Sequence, residues 1–256
     1  MGVQHLAEAT WEEIRDMKRE IAIALLPIGA IEAHGPHLPM STDVVIAEAM
    51  AGQAAELLAA EGREVLVLPA LSYTVARFAE RFPGTLSLEP DTLTRLLVDL
   101  ARSLRSHGFG LLGLANAHLD PAHLTAVRAA RDACERTADT ARIVFPDITR
   151  RPWAGRLTEE FLSGACHAGR FEGSVVMAAA PALVREEIRR QLPPNPASLS
   201  NAIRAGKKTF EEAGGPRAYF GWPGDATAEE GDETIQALGG ILADAVKASL
   251  EGRADG

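Results

Sequence analysis

A chain of 256 residues that is 46% hydrophobic can bury one large core, and its formal charge of -9 without any long Lys/Arg run speaks against a nucleic-acid surface, which needs clustered cations. Its two cysteines, Cys134 and Cys166, are too few for a disulfide framework, and residues 1–20 carry His5, Glu8, Glu12, Glu13 and Asp16 where a leader would be apolar. No run reaches the roughly 20 apolar residues of a bilayer span, so the expectation is a cytoplasmic enzyme of small molecules, built as one domain over 1–256 without nucleic-acid or membrane partners.

In chain order, short apolar runs predict buried strands at 21–28, 65–69, 111–115 and 143–146. Apolar residues recurring at three and four predict helices over 44–60, 92–107, 122–137, 181–191 and 229–250. This alternation is that of a three-layer αβα sandwich with a mostly parallel central sheet, whose strands deliver functional groups at their carboxyl ends. The proline-rich stretch 191–196 reads as an exposed connection, while Phe82-Pro83-Gly84-Thr85 and 221–225 read as turns, and 227–230 as a capping box.

The polar residues gather at those strand ends. After the first predicted strand come Glu32, His34, His37 and then Asp43, the mixture of imidazole and carboxylate that divalent transition ions prefer. Glu32 and His34 are two apart and share one face of an extended segment, and Asp43 near a helix start could bridge two ions. The strand at 111–115 runs into Asn116, His118 and Asp120, a second His-acid pair. Asp120 precedes Pro121, so it reads equally as a ligand and as the N-cap of the next helix. A third cluster holds His167 and Glu172. His167 suits proton transfer because an imidazole titrates near neutrality, whereas Cys166, pointing to the opposite face of an extended segment, is a poor partner for a thiol mechanism. No glycine-rich phosphate cradle follows any strand, which leaves the chemistry to metal and side chains.

Residues 27–39 with Asp43, Phe82-Pro83-Gly84-Thr85, Asn116-Ala117-His118, His167-Ala168-Gly169 with Glu172, and Ala226-Thr227-Ala228-Glu229 together resemble the creatininase, or creatinine amidohydrolase, family over nearly the whole chain. The resemblance implies the creatininase αβα sandwich, a homo-oligomer that is commonly a hexamer, and two divalent ions, zinc first with manganese or iron as alternatives. It further implies Glu32 and His118 on one ion, His34 and Asp120 on the other, and Asp43 bridging both. By the same resemblance His167 and Glu172 are the catalytic pair, His167 shuttling the proton from attacking water to leaving nitrogen and Glu172 sitting close to the metal centre and its hydrogen-bond network.

Departures from the family pattern bear on substrate. Ala117 replaces the usual glycine, Leu119 an aromatic, and Asp120 the longer glutamate of creatininase itself, while Val75-Ala76-Arg77 and Ser163-Gly164-Ala165-Cys166 replace segments that recognise creatinine. The expected reaction is therefore hydrolysis of an amide, in the first instance cyclic, in a small molecule other than creatinine. Trimming a peptide or opening a ring in a cofactor or natural-product precursor is an alternative, as is a metal-binding scaffold without turnover. Arg77, Arg81 and Arg170 would suit an anionic substrate if they point inward, and are otherwise surface charges.

Overall fold

The computed structural model describes residues 2–165 and 167–252, so the reading of Cys166 lies outside the described residues. The chain runs β1 (Val3–His5), α1 (Trp11–Asp16), β2 (Ala22–Ile28), α2 (Thr42–Ala60), β3 (Glu64–Val67), α3 (Pro90–Ser106), β4 (Leu111–Asn116), α4 (Pro121–Glu135) and β5 (Arg142–Val144). It continues through α5 (Glu159–Ser163), α6 (Arg170–Ala179), α7 (Glu186–Gln191), α8 (Leu199–Arg204) and α9 (Ala228–Leu250).

The strands form one all-parallel sheet in the order β1-β3-β2-β4-β5. Strand residues two apart share a face, which explains the continuous apolar runs. Ile23, Leu25, Val65 and Val67 pack on one side with α2 and α9, and Ala24, Leu26, Leu66, Leu112 and Leu114 on the other with α3 and α4. The resulting αβα sandwich is the expected fold. None of its helices is long and apolar enough to cross a membrane among the described residues. Cys134 is a buried free thiol in the α3–α4 layer.

The chain leaves β2 for β3 on one side and later returns to pair β4 on the other. The carboxyl ends of β2 and β4 therefore flank a crevice where strand order reverses, the usual ligand position of open α/β sheets.

Three local readings need correction. The helix expected over 181–191 is a single 3-10 turn at Pro181–Leu183 followed by α7, because Val184 is extended and Arg185 N–H donates outward to His37 O at 2.8 Å. Residues 170–179, read as a polar cluster and an apolar run, form α6. The three-residue edge strand β1 and the one-and-a-half-turn α1 carry too short a period to be seen in sequence. The box at 227–230 is half made: Thr227 Oγ1 accepts Glu230 N–H, while the Glu230 carboxylate pairs with Arg170.

Candidate metal centre

Glu32 and His34 come from the β2–α2 connection, Asp43 from the first turn of α2, His118 from just past β4, His167 from just before α6 and Glu172 from its first turn; all six are buried. They form three overlapping groups with metal-ligand proximity: Glu32, Asp43 and His118; His34, Asp43 and Glu172; Glu32, His34 and His167. Asp43 divides its oxygens between two imidazoles, Oδ1 lying 3.0 Å from His34 Nε2 and Oδ2 2.8 Å from His118 Nδ1. Glu32 Oε1 is 3.4 Å from His118 Nδ1 and 3.9 Å from both His34 Nε2 and His167 Nδ1, and Glu172 Oε2 is 3.6 Å from His34 Nε2.

Each of these imidazoles points its other nitrogen at a backbone carbonyl. His34 Nδ1 meets Glu32 O at 3.2 Å, His118 Nε2 meets Val75 O at 2.8 Å, and His167 Nε2 meets Ala33 O at 2.9 Å. A carbonyl only accepts, so those nitrogens carry a proton, and the inward nitrogen of each ring is the one that would offer its lone pair to a metal ion, the tautomer of a metal-ligating histidine. Backbone anchors of this kind leave no residue-type signal and were invisible in the sequence.

The charges call for cations. Burial alone would lower the pKa of His34, but Asp43, Glu172 and Glu32 outweigh it and hold the ring up at about 10. His118 is raised likewise against its burial, chiefly by Glu32 and Asp43. Burial pushes Glu172 up to about 8, against the pull of His34 and with the help of Asp43. Asp43 is held low despite its burial by His34 and His118. Protons thus stand where positive charge is needed. Glu32 Oε2 is buried without a hydrogen-bond partner. A buried carboxylate oxygen of that kind, among inward-facing imidazole nitrogens, fits a divalent ion.

Burial and the neighbouring His34 lower the pKa of His167 well below the ordinary imidazole value. Phe210 lies against its ring with centroids 4.1 Å apart, and Phe78, Phe82 and Phe220 surround Phe210, forming an apolar wall not anticipated from sequence. Phe82–Thr85, read as a plain turn, supports the site: Thr85 Oγ1 accepts Ala33 N–H and Leu86 N–H donates to Ile31 O.

Asp120 stands apart from these groups. It is the N-cap of α4, with Oδ1 accepting Ala122 and His123 N–H and Oδ2 accepting Phe78 N–H at 2.9 Å. Of its two sequence readings the geometry shows the cap, and Glu172 occupies the position beside His34 and Asp43 that the resemblance gave to Asp120. His37 turns toward Tyr219, and burial holds it neutral with a pKa of about 4. Arg77 pairs with Glu80 and Glu89, Arg170 with Glu230, and Arg81 is exposed, so the two paired arginines are surface charges.

The profile of the Creatininase family, described as creatinine amidohydrolase, matches residues 7–246. The chain belongs to the creatininase family. A mycofactocin precursor peptide peptidase of Mycobacterium tuberculosis (strain CDC 1551 / Oshkosh) is 31% identical over 243 residues, covering 92% of this chain and 88% of the relative. A creatinine amidohydrolase of Pseudomonas putida is also 31% identical, over 194 residues that cover 70% of this chain and 73% of that one. The solved structure described as creatininase Mn superposes with a TM-score of 0.73 at 25% identity, covering 96% of this chain and 98% of the other. Membership makes this protein a metal-dependent hydrolase of C–N bonds, with the five-stranded parallel sheet of its creatininase relatives.

Proposed function

We propose that this creatininase-family protein hydrolyses an amide of a substrate other than creatinine, using two divalent ions held by Glu32, Asp43 and His118 on one side and His34, Asp43 and Glu172 on the other. The observation that carries the reading is the division of Asp43 between His34 and His118, the arrangement of a bridging carboxylate. Zinc and manganese both suit this donor set. When bound, such a pair supplies a water of lowered pKa and polarises the substrate carbonyl.

The chain's own residues do the rest. His167, kept neutral by burial and oriented by Ala33 O, has a free lone pair at Nδ1; it takes a proton there and returns it to the leaving nitrogen. Phe210 and its aromatic neighbours exclude water from that transfer. Asp120 supports the site as a cap and not as a ligand.

Two substrate classes remain in play. A peptide amide is favoured by the likeness to the mycofactocin peptidase, which spans 92% of the chain where that to the creatinine amidohydrolase spans 70%. A cyclic amide of a small molecule is the second reading. Exposed Leu162, Leu183 and Ile188 support a homo-oligomeric assembly.

The test is elemental analysis of chelator-free protein, followed by incubation with linear peptides and cyclic amides and detection of products by mass. Two ions per chain and a product heavier by one water are expected. A metal-replete protein that changes substrate without adding water would replace hydrolysis by a ring-opening or isomerising reaction, and a metal-replete protein that leaves every substrate unchanged would favour the metal-binding scaffold.

A further inference from the structure

Glu160 is a buried acid outside the metal cluster. It lies in α5, only 6% exposed, and its carboxylate accepts three backbone N–H groups: Oε1 those of Arg170 at 2.9 Å and Trp222 at 2.8 Å, and Oε2 that of Phe171 at 2.6 Å. Arg170 and Phe171 open α6, whose own N-cap residue, Gly169, has no side chain with which to satisfy them. A carboxylate from elsewhere in the chain therefore caps that helix and meets the positive end of its dipole. The backbone closes tightly around it. A Cβ at Gly169 would stand 2.7 Å from Glu160 Oε1, and one at Gly221 only 2.1 Å.

Both segments gathered by this carboxylate bear on the chemistry. His167 lies just before α6 and Glu172 in its first turn, with Ala168 N–H donating to Glu172 Oε2 at 2.6 Å. Phe220, next to Gly221, donates its N–H to His167 O at 2.7 Å. Glu160 thus joins the 220–222 segment to the start of α6, and of the two attachments on that backbone His167 stands at one and Glu172 directly follows the other. Neither His167 nor Glu172 is on a strand, so the sheet cannot fix them as it fixes the residues after β2 and β4.

We propose that Glu160 is a positioning residue of the hydrolytic site, its carboxylate setting where His167 and Glu172 stand relative to the β2 and β4 ligands. The proposal rests on the roles given above to those two residues. A glutamine would keep the size but turn an N–H₂ donor toward N–H groups, removing acceptors that three donors need. An aspartate keeps the charge with a shorter reach.

The experiment has two arms so that the fate of the proposal can be told from that of the metal-hydrolase reading. In the first, amide exchange is followed without metal in the parent, Glu160→Gln and Glu160→Asp, with circular dichroism as a check of fold. Exchange of Ala168 and Phe220 is expected to be about tenfold or more faster in Glu160→Gln while the amides of β2 and β4 stay protected, with partial recovery in Glu160→Asp. In the second, zinc alone is titrated into each protein. Glu160→Gln is expected to weaken the ion assigned to His34, Asp43 and Glu172 about 10- to 100-fold, leaving the ion at Glu32, Asp43 and His118 near its parental affinity. Parental exchange rates in Glu160→Gln, or uniform loss of protection over the whole chain in both variants, would overturn the positioning role. A parent that binds no zinc would overturn the metal reading, while the exchange arm still decides whether Glu160 holds the His167 segment.

Discussion

The candidate centre has two halves that are held in different ways. Glu32, His34 and His118 stand in the segments that follow β2 and β4, adjacent strands whose register pairs Ile28 with Asn116, and Asp43 stands in the first turn of α2, whose backbone abuts Gly29 just past β2. His167 and Glu172 stand on a loop and a helix start secured by side chain-to-backbone bonds from Glu160 and by the contact of Phe220 with His167. The first half is built as part of the core and the second is attached to it. On the proposed assignment the contrast divides labour, with a seat built on the sheet for most of the ligands and a separate mount for Glu172 and the proton carrier.

The variant expected to break this picture most completely is Asp43→Ala. Because one carboxylate serves both imidazoles, its removal should abolish binding of both ions and all turnover, read by elemental analysis and product formation. Next comes His167→Ala, expected to retain both ions and the fold while lowering kcat by about 10²- to 10⁴-fold, the usual worth of a positioned acid-base group; unchanged kcat would remove His167 from the mechanism. Supplying zinc at about 100 times its Kd should stabilise the protein by about 2.7 kcal/mol per independent site, seen as a rise in Tm. No rise would mean that the buried carboxylates are satisfied by protons alone.

Glu172→Gln and Asp120→Ala sharpen the assignment between the halves. The first should lose one ion. The second should keep both and cost about 1–2 kcal/mol of stability through the lost cap of α4, plus the unpaired Phe78 N–H. Loss of an ion in Asp120→Ala would restore the acid to the ligand set. The smallest effect is expected far from the centre. Arg189 and Arg190 hold the Glu186 carboxyl down to about 2, below the ordinary 4.5. A carboxyl depressed on folding contributes stability above its unfolded pKa and loses it as pH falls through the folded one. The Tm advantage of the parent over Glu186→Gln should therefore be full above about pH 5 and vanish toward pH 2.

The two halves also differed in how plainly they could be read. The candidate ligands Glu32, His34 and His118 follow continuous apolar strands, so pattern and motif pointed to the same place, and the fold brings them together with Asp43 at the start of α2. Glu172 was legible as a catalytic residue near the centre but not as a candidate ligand, because α6 has a glycine at its N-cap and is capped by Glu160 from a different helix, a tertiary contact with no local signature. Asp120 satisfied both of its readings on sequence grounds; the donor that occupies its second oxygen, Phe78 N–H, is 42 residues away. The helix over 181–191 failed for a similar reason, since Arg185 N–H is claimed by the His37 carbonyl. Sequence pattern registers what a residue does with its neighbours in the chain, and these residues act on distant backbone.

The dipeptide Glu32-Ala33 has all its backbone polar groups engaged. Its N–H groups go to Met40 O and Thr85 Oγ1, and its carbonyls receive the outer nitrogens of His34 and His167. On the proposed assignment the same short piece of chain supplies a ligand and orients a second ligand and the proton carrier, so a fluctuation that frees it would disarm all of them together. Extraction of metal by a chelator should then be a cooperative event, both ions leaving in one kinetic phase limited by the opening of this dipeptide.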